Sequence, residues 1–140
     1  MPGFALLAAL TATAAGHSVS SIEGIWRSPG GNSIMKIAPC GKFPCGTVAW
    51  ASDKAKRASH KTTPNLVGAH LLKDLSHRKD GSWKGKLFIP DQNMHVTAKI
   101  RRESQNSLKV SGCAAFICKS QVWTTWNGPL PTDGSRPAPK

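Results

Sequence analysis

The sequence contains no tyrosine and only 7 acidic residues, against 19 lysines and arginines. The shortage of carboxylates limits acid–base chemistry. Glu23, Asp53, Asp74, Asp80, Asp91, Glu103 and Asp133 are scattered along the chain, most of them in turn-like segments where aspartate initiates or caps. No two are spaced as a catalytic carboxylate pair. A Gly-x-Ser-x-Gly nucleophile elbow is missing, as is a glycine loop of the spacings that cradle phosphate. These absences argue against an enzyme and against a cofactor. No internal repeat is visible, and 140 residues make one domain, long enough to bury a core of its own.

What the sequence does have is positive charge. The formal net charge is +12, which bears on partners rather than on fold. Anionic lipid headgroups, lipopolysaccharide, acidic cell-wall polymers and nucleic acid all suit it. At the N-terminus, Phe4 to Leu10 is an apolar run too short to span a bilayer. The small residues Ala12, Thr13, Ala14 and Ala15 follow it. A short apolar stretch before a small-x-small site reads as a signal peptide over residues 1–15, although no Lys or Arg precedes the run. Export to the periplasm or secretion is therefore expected.

Cysteine usage agrees. Four cysteines form two close pairs, Cys40/Cys45 and Cys113/Cys118. Four cysteines allow three pairings. The short loop inside each pair suits a hairpin end, so we expect the local disulfides, each stabilising by about 2 kcal/mol. Zinc is the rival reading. The cysteine spacing sits at its upper limit, and His17, His60, His70, His77 and His95 are scattered. No metal is expected, and His70 and His95 read as bland.

Along the chain, short segments with strand character alternate with turn signals, the pattern of an all-β meander. Strands are expected at Ser33–Ala38, Gly46–Trp50, Trp83–Ile89, Met94–Arg101, from Leu108, and over Lys119–Trp126. Leu66 to Leu75 is apolar and fits either a buried strand or a helical turn. Ala51 to Asn65 lacks strand period and reads as a long mobile loop carrying Lys54, Lys56, Arg57, His60 and Lys61. Asn127 to Lys140 contains four prolines and reads as a disordered tail. About seven or eight strands suffice to close a small antiparallel barrel over residues 16–126.

Several stretches match a known family. They are Gly24-Ile25-Trp26, Pro39-Cys40-Gly41 through Cys45-Gly46, Asn65 to Gly68, Asp80-Gly-Ser-Trp83, Leu108 to Gly112, and Gln121-Val-Trp123-Thr124. With these the chain resembles the bacterial domain-of-unknown-function family 2147. The resemblance implies a small secreted or periplasmic barrel of up-and-down, lipocalin-like architecture, and no established activity. Thr125 stands where the family tends to place an arginine at the end of the last strand. The packing of such an arginine over the first-strand Trp26 is thereby in question, with Trp126 as a substitute.

Binding is the function class that remains. An eight-stranded barrel can hold one small ligand. In Met94–Arg101, alternation puts Met94, Val96, Ala98 and Ile100 on one face, and the same rule groups Val48 with Trp50. These residues are the expected lining, with room beside the small Ala98. Trp50 and Trp83, next to turns, are expected at the mouth. Trp26 and Trp123 are expected to fill the core. The expected ligand is apolar or lipid-like. The alternative is a basic module that uses Lys54, Lys56, Arg57 and Lys61 to bind an anionic envelope surface, lipopolysaccharide or a protein. Nucleic acid is not expected, because the aromatics do not cluster with the lysines.

Overall fold

A computed structural model describes Gly3 and residues 21–140. Apart from Gly3, the signal-peptide reading of residues 1–15 lies outside the described residues. Eight strands form a closed antiparallel barrel in chain order. They are β1 (Gly24–Arg27), β2 (Ser33–Cys40), β3 (Phe43–Ala51), β4 (His70–His77), β5 (Trp83–Ile89), β6 (Met94–Ser104), β7 (Ser107–Ala114) and β8 (Ile117–Thr125). Pairing of β1 with β8 through Trp26↔Thr125 and Arg27↔Thr124 closes the ring at its lower end and leaves the upper part of β8 paired with β7 alone.

Up-and-down connectivity puts alternate connections at opposite ends. The β1–β2, β3–β4, β5–β6 and β7–β8 connections share one end, called here the upper end. The β2–β3, β4–β5 and β6–β7 turns share the lower end. Side chains alternate in and out, as the period of a strand requires. In β6, Val96, Ala98 and Ile100 are buried, whereas His95, Thr97, Lys99 and Arg101 are exposed. β4 departs from the rule. Its register shifts between Lys73 and Ser76, with Asp74 at φ 54. The bulge presses on β5 at Gly85, where a Cβ would run into the Lys73 carbonyl and the Leu75 side chain. Only glycine fits there, and the bend lets both Leu72 and Leu75 point inward.

The lower half of the barrel is filled. Trp26, Ile37, Leu72, Leu75, Ala98, Ile100 and Leu108 are fully buried there in one cluster, which Ile22 caps. Trp26 donates from Nε1 to the Ile22 carbonyl at 3.0 Å. The cation over its ring is Arg102, 5.1 Å from the centroid. The arginine that Thr125 fails to supply therefore comes from β6. Arg102 is held in place by donating to the carbonyls of Ser21 and Gln105, both at 2.7 Å. It ties the segment before β1 to the β6–β7 turn.

Two expected segments come out differently. Residues 51–65 are not a long mobile loop: they contain helix α1 (Asp53–Ser59). Ser52 caps it by accepting from the Ala55 amide at 3.2 Å. Asp53 lies in the first turn and Lys56 and Arg57 in the last, the arrangement that complements the helix dipole. The Pro-rich tail is not disordered either. Asp53 donates its amide to the Gly134 carbonyl at 2.7 Å. Ala138 is buried, donates to the Gly31 carbonyl at 2.7 Å and accepts from Arg27 Nε at 3.0 Å. Backbone hydrogen bonds and one small buried side chain order the tail, and neither requires an apolar pattern.

The ambiguous apolar stretch resolves as a strand. Leu66 is buried in the connection after α1, and β4 begins at His70.

Candidate functional site

Above Trp26 and Ala98 the barrel opens. A cavity of about 570 Å³ occupies the upper half. Its wall is apolar on most sides: Met35 from β2, Leu71 from β4, Leu87 and Ile89 from β5, Met94 and Val96 from β6, and Val110 from β7. The exposure of β8 shows why space exists there. Residues 117–122 are exposed on both faces: they pair with β7, but β1 reaches only Thr124 and Thr125, so no strand lies on their other side. The wall therefore has a gap between upper β8 and the start of β2, and the cavity reaches it, with Ser28 and Ser33 lining it opposite Ile117, Lys119 and Gln121. Below this stretch Trp123 is buried and forms the floor, donating from Nε1 to Gln121 Oε1 at 3.2 Å.

The inner face of β8 also brings in polarity. Ile117, Lys119, Gln121 and Trp123 follow one another on the cavity wall. Lys119 is the cation among the cavity-lining residues, and Asp91 of the β5–β6 turn is the anion. A side cleft of about 390 Å³ shares Leu71, Pro90, Asp91 and Gln121 with the cavity and runs beneath α1 against Val48. Thr62, just past α1, donates to the Pro90 carbonyl at 2.6 Å. This bond ties the helical connection to the β5–β6 turn across the mouth.

The residues expected to line the lumen divide three ways. Met94 and Val96 do line the cavity. Val48 lines the side cleft. Ala98 and Ile100 do not line it: they belong to the packed half, where neither leaves room for a ligand. Trp50 and Trp83 are not mouth residues. The register of β2 against β3 shifts between Ile34↔Trp50 and Met35↔Val48, leaving Ala49 as an extra residue. Such a bulge rotates everything beyond it to the other face. Trp50 therefore packs outside the main core, against Ile34, Ala138 and Trp126. Trp83 starts β5 at the lower end, paired with His77, their rings 4.9 Å apart.

Lys119, Gln121 and Trp123 are the lining residues that sequence reasoning passed over. The alternation Ile117, Lys119, Gln121, Trp123 was the available signal. Two polar members made it unlike a core face.

The four cations expected to form an anionic-surface site, Lys54, Lys56, Arg57 and Lys61, are all exposed. Lys54, Lys56 and Arg57 lie on α1 and Lys61 just past it, all in the connection at the upper end, and Lys54 lines the side cleft. The same end carries the tip of the β7–β8 hairpin. There Phe116 is 100% exposed and Ile117 70% exposed, and the Cys113–Cys118 disulfide spans the hairpin.

The other cysteine pair, Cys40–Cys45, is also bonded, and no cysteine is free. His70 lies against this second bridge. Cys40, Cys45 and His70 form a group of potential metal ligands, but with the sulfurs joined to each other neither offers a thiolate.

The sequence profile of a bacterial family, described as an uncharacterized protein conserved in bacteria (DUF2147), matches residues 24–125. The chain belongs to this family. The match begins with β1 and ends with β8, so it covers the whole barrel and stops before the tail. No curated protein and no solved structure shows significant similarity to the chain. Among the described residues no helix is long and apolar enough to cross a membrane. Two disulfides in a bacterial protein suggest a location outside the cytoplasm.

Proposed function

We propose that this member of DUF2147 is an exported binding protein, not an enzyme, whose half-open barrel carries an amphipathic, lipid-like molecule with an apolar body and an anionic head. The observation that carries the reading is the cavity of about 570 Å³, apolar on its β2, β5, β6 and β7 walls, with Lys119 on β8. The volume falls in the range of small-molecule sites. Burying an acyl chain contributes roughly 0.8 kcal/mol per methylene. Lys119 would pair with a carboxylate or phosphate, and Gln121 would donate a hydrogen bond to it.

The upper surface supports delivery from an anionic membrane. Lys54, Lys56, Arg57 and Lys61 lie exposed in the β3–β4 connection, at the same end of the barrel as the exposed tip of Phe116 and Ile117. Each cation near an anionic surface contributes about 1 kcal/mol. An aromatic tip can enter the headgroup boundary beside them.

A titration with a fluorescent fatty acid, followed by quenching of Trp123 at the cavity floor, tests the reading. Saturable binding is expected, with at least tenfold weakening in Lys119→Glu. A second arm measures sedimentation with vesicles containing anionic lipid. Binding should fall with added salt and in the triple variant Lys54→Glu, Lys56→Glu, Arg57→Glu. Lack of saturable binding by the wild-type chain would remove the carrier reading. Vesicle binding indifferent to salt and to the triple variant would remove the surface reading.

A further inference from the structure

At the opposite end of the barrel, the Cys40–Cys45 bridge and His70 form a group that ligand carriage does not use. We propose that Cys40–Cys45 is a redox-active disulfide that oxidises a dithiol, with His70 as the proton donor to the departing Cys45 sulfur.

The two bridges of the chain make an internal comparison. Both join cysteines five positions apart in a hairpin between neighbouring strands. Cys113 and Cys118 are direct cross-strand partners, and among the described residues no imidazole hydrogen-bonds to either sulfur. Cys40 and Cys45 are not opposite each other: Cys40 faces Phe43, and Cys45 faces Ala38. Their sulfurs are also asymmetric. Cys40 is exposed, whereas Cys45 is buried. His70 reaches them because the β3–β4 register shifts between Gly46↔Leu72 and Thr47↔His70. Its Nδ1 lies 3.2 Å from Cys45 Sγ, 3.9 Å from Cys40 Sγ and 3.0 Å from Thr47 Oγ1. The nitrogen is nearest the buried sulfur, and Thr47 steadies the ring.

That asymmetry fits thiol–disulfide exchange. An incoming thiolate reaches the exposed sulfur, and the leaving sulfur needs stabilisation. In the first step a substrate thiolate bonds to Cys40 Sγ. The Cys40–Cys45 bond breaks, and its electron pair departs on Cys45 Sγ, which takes a proton from His70 Nδ1. In the second step the other substrate thiol loses its proton to His70 and attacks the substrate sulfur of the mixed disulfide. Cys40 then leaves as a thiolate and is protonated by water. The net result is a substrate disulfide and a protein dithiol, two electrons and two protons having moved to the protein. The disulfide itself is the oxidant, so one chain oxidises one dithiol.

The surroundings suit a docking thiol. A cleft of about 330 Å³ lies over the bridge, lined in part by Lys42, Phe43 and Lys73. Phe43 is 39% exposed and offers an apolar foothold. The cleft sets these two lysines against one carboxylate, Asp74, a balance that favours an approaching thiolate over a thiol.

The test exposes the oxidised full chain to dithiothreitol. The reaction is stopped by alkylation at successive times, and the opened pair is identified by peptide mass mapping. Cys40–Cys45 should open at least tenfold faster than Cys113–Cys118. His70→Ala should slow the first bridge about tenfold and leave the second unchanged, and His70→Asn, which keeps an amide donor, should recover part of the rate. Cys113–Cys118 in the same molecule serves as the folding control. Equal opening rates for the two bridges would overturn the proposal. So would fast opening of Cys40–Cys45 that neither His70 variant alters.

Discussion

Asp80 shows how a single carboxylate can organise a turn in a chain this basic. It follows Lys79 and precedes Gly81 in the β4–β5 connection. Its Oδ1 accepts from the Ser82 amide at 2.9 Å and from the Ser82 hydroxyl at 2.6 Å. On the outer face of β6, Arg101 and Lys99 stand 3.5 and 3.8 Å from Oδ2. The hydrogen bonds from Ser82, and then the two cations, hold the carboxyl below its ordinary value of 3.8. Asp133 in the tail repeats the device with Ser135, which lowers it in the same way. The sign of the linkage follows. A carboxyl whose folded-state affinity for protons is reduced adds stability above its ordinary value, and that contribution is lost as pH falls through the folded-state value. Asp80→Asn keeps an acceptor for the turn but removes the charge. Its melting temperature should lie below that of the wild type at pH 7. The gap should close as the pH is taken down through and below 3.8. A gap independent of pH over that range would show that the charge contributes nothing.

At the scale of elements, the strands were legible and their irregularities were not. Trp83–Ile89 and Met94 are read correctly from the sequence, because a turn signal brackets each run and period-two alternation marks a half-buried strand. Trp50 fails for a definite reason. Alternation counted from Val48 puts it inside, and one extra residue, Ala49, reverses the facing. Bulges of this kind leave no compositional trace. Helix α1 was hidden by its seven-residue length, too short for a helical period to show, and its Ser52-Asp53 start is the one local cue. The tail was misread for a related reason, since its attachments are mostly backbone to backbone. It covers Trp50 and Ile34, which are both buried, with Ala138 packed on them. Removing residues 129–140 should therefore expose this outer cluster and free the Arg27 guanidinium. A loss of roughly 2–4 kcal/mol is expected from the apolar surface alone, measured by urea unfolding, with a red shift in tryptophan emission. A truncated chain of unchanged stability would mean that the tail does not cover the barrel.

At the scale of the whole molecule, the barrel is two different interiors in one wall. Below, Trp26, Leu72, Leu75, Ala98, Ile100 and Leu108 fill the space. Above, Met35, Leu87, Met94, Val96 and Val110 surround a cavity. Sequence could not reveal this division, since β6 runs through both halves with the same alternating pattern. Met94 and Val96 are no more or less apolar than Ala98 and Ile100. What differs is the opposing side. Trp26, which enters with the first strand and is clamped under Arg102, fills the lower lumen, whereas the upper lumen faces Gly112 and Ala114 of β7 and the polar inner face of β8. Two enlargements one turn of the pleat apart should therefore have opposite consequences. Ala98→Leu adds atoms to a packed interior and should cost roughly 1–3 kcal/mol. Val96→Phe directs its ring into empty space, where new apolar contacts should leave stability unchanged or raise it by up to about 1 kcal/mol. The same ring takes up volume that a ligand needs, so Val96→Phe should also lose fatty-acid binding at least tenfold. Urea unfolding of both variants, with the fatty-acid titration run on each, measures the contrast. Equal destabilisation by the two substitutions would mean that the upper half is as tightly filled as the lower, and the carrier reading would fall with it.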